Sequence, residues 1–312
     1  MRKFILQLCL FSFLFLGLLY FFLLQINGKH DDFYLRFTTP QQSSLVIGTS
    51  RAAQGIIPTE INAIIPQKNL FNYAFSIYHS PFGEVYYQSI QRKIAENSKN
   101  GIFIFCIDPW ALGVTKDSIT GKAKFQEDDY ALAGIRNVNS NPNWEYLFQH
   151  TSKSLFETYF NKNKSTFLHH DGWLEVTVPM DSTSIKKRLK KKIEQYNLKK
   201  QEFIKSETRI LWMKKTIKLL QTHGRVYLVR LPIQSEILGM ENQIWPNFSV
   251  DLMSWGKEFD APIFDFSNKS NRFTYTDGNH LHSSSSRKIS KEIGRLILED
   301  LKKSKQSSIT HE

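Results

Sequence analysis

Residues 101–107 (GIFIFCI) carry no charged or amide side chain. A run of that length, rich in aromatic and β-branched residues, suits a strand buried on both faces of a parallel sheet, where no solvent side exists to demand polar alternation. Asp108-Pro109-Trp110 stops it. Four further runs read as strands: 44–47 (SLVI), 69–75, 225–231 and 262–266. Between them lie segments with helical spacing. One starts near Pro58, since proline is tolerated in a first helical turn. A second, 81–96, places Tyr86, Ile90 and Ile94 four residues apart. A third covers 184–220, with Gly224 read as its C-cap. The last, 284–302, carries a buried stripe of Ile289, Ile293, Leu296, Ile297 and Leu301. Strands alternating with helices predict an α/β fold of three layers, with a mostly parallel, flavodoxin-like five-stranded sheet.

Ahead of this domain, Arg2 and Lys3 precede an apolar run from Phe4 to Leu24, broken by little more than Gln7. About 20 helical residues span the hydrocarbon core of a bilayer. The run exceeds the usual signal-peptide core of about 7–15 residues, and no Ala-x-Ala-like site follows it. Residues 1–27 therefore read as an uncleaved signal anchor, a transmembrane helix, with a cleaved signal peptide as the alternative. The two cations favour a cytoplasmic N-terminus, single-pass insertion in the inner membrane and a periplasmic main domain. Residues 28–43 read as a linker, 44–303 as the α/β domain and 304–312 as a polar tail.

The formal charge is +12. It is concentrated at Lys186, Lys187, Arg188, Lys190, Lys191 and Lys192, at the start of the basic helical segment 184–220. That distribution argues against nucleic acid as the partner. It leaves a solvated helix face or contact with anionic lipid or an acidic glycan as the two readings. The two cysteines, Cys9 and Cys106, fall in the anchor and in a core strand, so no disulfide framework is expected. Residues 113–183 read as a mixed insertion over one end of the sheet; within it, the period-two stretch 172–178 suggests a hairpin strand.

Two short stretches carry chemistry. Gly48-Thr49-Ser50-Arg51 follows the first strand, and Asp277-Gly278-Asn279-His280 lies between the last strand and the last helix. In an open α/β sheet both loops fall at the carboxyl edge, where ligands bind. Asp277 and His280, three residues apart, can pair within one turn, leaving the other ring nitrogen of His280 free to face the Ser50 hydroxyl. That is the arrangement by which a base activates a serine nucleophile. His282 is an alternative base. Asp108 reads as a strand-end cap or a pocket residue. Arg51 and Arg230, near strand ends, read as solvated or as anchors for an anionic substrate. A metal reading rests on His280-x-His282 and His169-His170-Asp171; the serine reading needs neither metal nor cofactor.

In these two motifs the chain resembles the SGNH (GDSL-like) hydrolases, in which Gly-x-Ser follows the first strand and Asp-x-x-His follows the last. The resemblance covers roughly residues 44–300 and is closest to membrane-anchored members of bacterial envelopes, some of which move acyl groups on glycans. It implies Ser50 as nucleophile, His280 as base and Asp277 as its partner. It also implies oxyanion donors from the serine N–H, from a glycine after the second strand and from an asparagine after the third. Here residues 72–77 (NYAFSI) contain no glycine, and Asp108 stands where that asparagine is sought. Asn72 and Arg51 are the candidate substitutes. The expected function is an esterase or O-acyltransferase for acyl, chiefly acetyl, esters of envelope glycans. The alternative is a degenerate member that binds a glycan or a partner membrane acyltransferase.

Overall fold

A computed structural model describes residues 1–66, 68–116, 123–149, 159–160, 162 and 165–309. Helix α1 (Arg2–Leu24) is long and apolar enough to cross a membrane. Its 23 residues extend about 34 Å, and nearly all its side chains are exposed until Leu23 and Ile26 enter the core.

Five strands form one sheet: β1 (Ser44–Ile47), β2 (Leu70–Asn72), β3 (Gly101–Cys106), β4 (Gly224–Arg230) and β5 (Ile263–Asp265). Their order is β5-β4-β3-β1-β2, and every neighbouring pair is parallel. Val46 pairs with Ile104, and Ile104 with Tyr227. Every residue of β1 and β3 is buried, so both sheet faces are covered. Helix α2 (Ser50–Gly55) leaves β1 directly. It and the short helix Pro58–Asn62 pack against the last helix. Helix α3 (Glu84–Lys93) follows β2. Helices α4 (Ser182–Glu202), α5 (Glu207–Gln221) and α6 (Ser235–Ile244) flank β4 in sequence, and α7 (Ser283–Ile309) closes the chain.

Several expectations need correction. Residues 28–43 are not a free linker. Tyr34–Thr38 form a helix whose every side chain is buried. Its Arg36 donates to the carbonyls of Asp32, Asn72 and Gly172. Burial lowers its guanidinium to about 10. An arginine satisfied by main-chain oxygens packs like a core residue, so this segment is fastened to the sheet.

The helical stretch 184–220 is two helices. Phe203–Lys205 leaves the helix and pairs antiparallel with Gly113–Lys116. Ser206 then caps α5 by accepting from the Arg209 N–H. Gly224 is no cap: α5 ends at Gln221, and Gly224 is the first residue of β4, where a Cβ would stand 2.1 Å from the Gly101 carbonyl oxygen. The C-terminal helix runs through Ile309 rather than stopping ahead of a tail at 304; positions 310–312 of that tail lie outside the described residues.

The insertion 113–183 is described in part. Leu174–Val176 pairs antiparallel with Thr166–Leu168, where the alternating stretch suggested a hairpin. Glu127 reaches Arg209 of α5 through two 2.8 Å contacts, both groups being buried, and ties the insertion to the sheet's helical layer.

Candidate active site

The β1–α2 turn is built to present a small side chain. Gly48 has φ +154°, and a Cβ there would lie 2.9 Å from the Cβ atoms of both Ala52 and Cys106. Only glycine fits that conformation and that space. The Gly48 N–H donates to the Tyr86 hydroxyl (3.2 Å), and its carbonyl accepts from Ser80 Oγ (2.8 Å). Thr49 O receives the N–H groups of Ala52 and Ala53. Ser50 is therefore the first residue of α2, in the turn whose N–H groups have no acceptor inside the helix.

The second loop is held as firmly. Asp277 Oδ1 accepts from the backbone N–H of Asn279 (3.0 Å) and of His280 (2.9 Å), a tight turn closed by Gly278 at φ +84°. Asp277 Oδ2 lies 2.9 Å from His280 Nδ1, and His280 Nε2 lies 2.9 Å from Ser50 Oγ. Residues 230 positions apart in sequence thus share one chain of proton partners. Burial would push the Asp277 carboxyl up. The His280 ring, Lys192 and the His280 N–H outweigh it and hold the group well below the usual carboxylate range. A carboxylate there favours the proton on Nδ1 and leaves the Nε2 lone pair facing the serine.

Helix α4 braces this loop with one face. Arg188 donates to the Thr276 carbonyl (2.7 Å), Lys192 lies 3.1 Å from Asp277 Oδ2, and the Tyr196 hydroxyl donates to Asn279 Oδ1 (2.8 Å). The spacing is four residues, which puts all three on one side of a helix. Lys186, Lys187, Lys190 and Lys191 stay exposed. The basic stretch is accordingly part solvated surface and part scaffold of the site.

Behind the serine lies a buried ionic chain. Glu241 of α6 sits between two guanidiniums, 2.6 Å from Arg51 Nη1 and 3.0 Å from Arg230 Nη2. Burial would strip the proton from Arg51, but Glu241, and after it Asp108, raise its proton affinity above the ordinary value. Arg51 Nε also donates to Asn279 Oδ1 (2.7 Å).

Ser50 and His280 open onto a cavity of about 540 Å³, whose walls include Arg51, Asp108, Trp110, Lys192, Tyr196 and Asn279. That volume suits a small-molecule ligand. Asp108 does both things its sequence position allowed: it lines the cavity and caps the turn Pro109–Leu112 by accepting from the Ala111 N–H. Two other candidates stand elsewhere. Asn72 is fully buried, with its amide donating to the carbonyls of Ala52 and Ile56, so it has no donor to offer a substrate. Arg230 is buried on Glu241 and Ser249 and does not line the cavity. Arg51 reaches the cavity wall, but with Glu241 as its counter-ion it is not an open anion anchor.

His282 turns away, pairing with Ser284 Oγ in an exposed position. His169 pairs with Glu175 (2.9 Å), and Asp171 accepts from the N–H groups of Thr59 and Trp173. Among the described residues no three His, Cys, Asp or Glu side chains gather as a metal site.

The sequence reading missed Asn279, Tyr196, Glu241 and the contact role of Lys192. Asn279 stood inside the second motif and could have been weighed there. Tyr196 sits one helical period beyond Lys192, a spacing hidden by the surrounding charge. Glu241 had no local signal, since its burial is a tertiary property. Comparison with protein-family models and with curated proteins finds no match to this chain.

Proposed function

We propose that this chain is a membrane-anchored serine esterase or O-acyltransferase of the SGNH type, acting on acyl, chiefly acetyl, esters of envelope glycans. The observation that carries the reading is the Ser50–His280–Asp277 chain, with two successive 2.9 Å contacts at the mouth of one cavity. Ser50 Oγ attacks the acyl carbon as its proton passes to His280 Nε2. The tetrahedral adduct collapses, the leaving alcohol takes that proton, and an acyl-serine remains. Water or a sugar hydroxyl then attacks the acyl carbon, giving its proton to Nε2, and Nε2 returns that proton to Ser50 Oγ as the C–Oγ bond breaks. Asp277 stays ionised throughout and stabilises the imidazolium.

Three further features support the reading. The two motifs carry the resemblance to the family, helix α1 is able to cross a membrane, and the cations at Arg2 and Lys3 favour a main domain outside the cytoplasm. An activated-serine probe tests it: the full chain in detergent is labelled, and Ser50→Ala is spared. Equal labelling of both removes the reading.

A second reading has one observation in its favour. Asp108 places a carboxylate in the cavity wall, and an ionised carboxylate accepts but cannot donate to an oxyanion. On that reading the fold is retained to bind a glycan or a partner membrane acyltransferase. It is preferred if wild type turns over model acetyl esters no faster than His280→Ala.

A further inference from the structure

Acyl transfer from Ser50 needs donors for the carbonyl oxygen, and beyond the Ser50 N–H at the start of α2 the side chains suggested by the sequence do not provide one. Asn72 is committed to main-chain carbonyls, and Asp108 is an acceptor. We propose that the side-chain amide of Asn279 donates to the substrate carbonyl oxygen as Ser50 attacks, with Arg51 and Tyr196 as the positioning residues that aim it. This rests on the serine reading above.

The orientation of the amide follows from its partners. Arg51 Nε–H can only donate, and it lies 2.7 Å from one end of the Asn279 amide. That end must be the oxygen. The Tyr196 hydroxyl donates to the same oxygen at 2.8 Å. Burial pushes the Tyr196 phenol up, with Arg51 pulling it partly back, so it remains a neutral donor. The NH₂ end is thereby turned toward the reaction centre, with Nδ2 3.2 Å from His280 Nε2. Arg51 is itself locked by Glu241, which a second guanidinium, that of Arg230, braces from behind. The amide is preorganised by a buried chain four residues deep.

The position of Nδ2 favours the transition state. At rest, two donors, Ser50 O–H and Asn279 N–H, face one lone pair on Nε2. When the serine proton moves to Nε2, that nitrogen ceases to accept. At the same moment the carbonyl π pair moves onto oxygen, on the carbon newly bonded to Oγ. The amide loses one acceptor as a stronger, charged one forms beside it. Such an interaction grows along the reaction coordinate, as catalysis requires.

The test is hydrolysis of p-nitrophenyl acetate by the full chain in detergent, with Asn279→Ala, Tyr196→Phe and Ser50→Ala compared with wild type. Removing one oxyanion donor costs about 10²–10³ in kcat, so Asn279→Ala is expected to fall by that factor. Its KM should stay in place, because the contact to the oxygen strengthens only in the transition state. Tyr196→Phe, which loosens the amide without removing it, should lower kcat several-fold at unchanged KM; it carries the test if Asn279→Ala does not fold. The proposal is overturned if kcat of the folded Asn279→Ala stays within threefold of wild type. It is also overturned if the loss in Asn279→Ala falls on KM at unchanged kcat, the sign of a contact made equally to bound substrate and transition state. If Asn279→Ala does not fold, an unchanged Tyr196→Phe overturns it. Ser50→Ala separates the two levels: abolished turnover there with intact Asn279→Ala sinks this inference alone, whereas wild-type turnover in Ser50→Ala sinks the serine reading.

Discussion

Lys192 on helix α4 lies 3.1 Å from the carboxylate of Asp277, the group that also holds His280. Together with the His280 ring it keeps Asp277 ionised well below the usual carboxylate range, against the effect of burial. A folded-state pKa below the unfolded value of about 3.9 means that the carboxylate stabilises the fold above that pH; the stabilisation is lost as pH falls through the folded value. Asp277→Asn should therefore melt below wild type at pH 7, with the gap closing as pH drops beneath about 4. Its kcat should fall by about 10⁴, the loss seen when a triad carboxylate becomes an amide. Thermal melts across pH and steady-state kinetics check both.

Glu241 is fully buried between Arg51 and Arg230. Glu241→Gln removes the carboxylate shared by two buried guanidiniums, a loss of about 3–5 kcal/mol. Chemical denaturation should show a lowered midpoint with little change in slope. Turnover of the fraction still folded should fall too, because Arg51 aligns Asn279.

Gly48→Ala tests the turn that presents Ser50. The new methyl would meet Cys106 and Ala52 at 2.9 Å in a backbone conformation that side chains avoid. A loss of about 1–3 kcal/mol is expected, with a displaced Ser50 and a fall in kcat larger than any change in KM.

Lys93 gives a pH signature far from the site. Its buried ammonium donates to Thr39 O, Thr39 Oγ1 and Val138 O, and burial pushes it down to about 7. Between pH 7 and the unfolded value of about 10.4 the unfolded chain holds a proton that the folded chain has lost, so this group makes stability rise with pH. Wild type should gain stability from pH 7 to pH 9 relative to Lys93→Met, measured by urea unfolding at each pH.

The sheet was legible because its central strands are continuous apolar runs. Residues of β3 have no solvent face, so nothing interrupts the pattern. The two loops were legible because Gly48 and Gly278 answer local backbone demands that glycine alone meets. What sequence hid was tertiary. Arg36 carries no local signal of burial, yet three main-chain carbonyls make it a core residue. Phe203–Lys205 interrupts two helices without proline or glycine, because its pairing with Gly113–Lys116 outweighs local propensity. Glu241 and Asn279 acquire their places only when α6 and the 276–280 loop meet Arg51.

The most direct measurement is chemical: rapid acid quench of the full chain during turnover of an acetyl ester, followed by peptide mass spectrometry. Acetyl is expected on Ser50 in wild type and absent in His280→Ala. A Ser50 peptide that stays unmodified in wild type, or acetylates equally in both proteins, would contradict a nucleophile activated by His280.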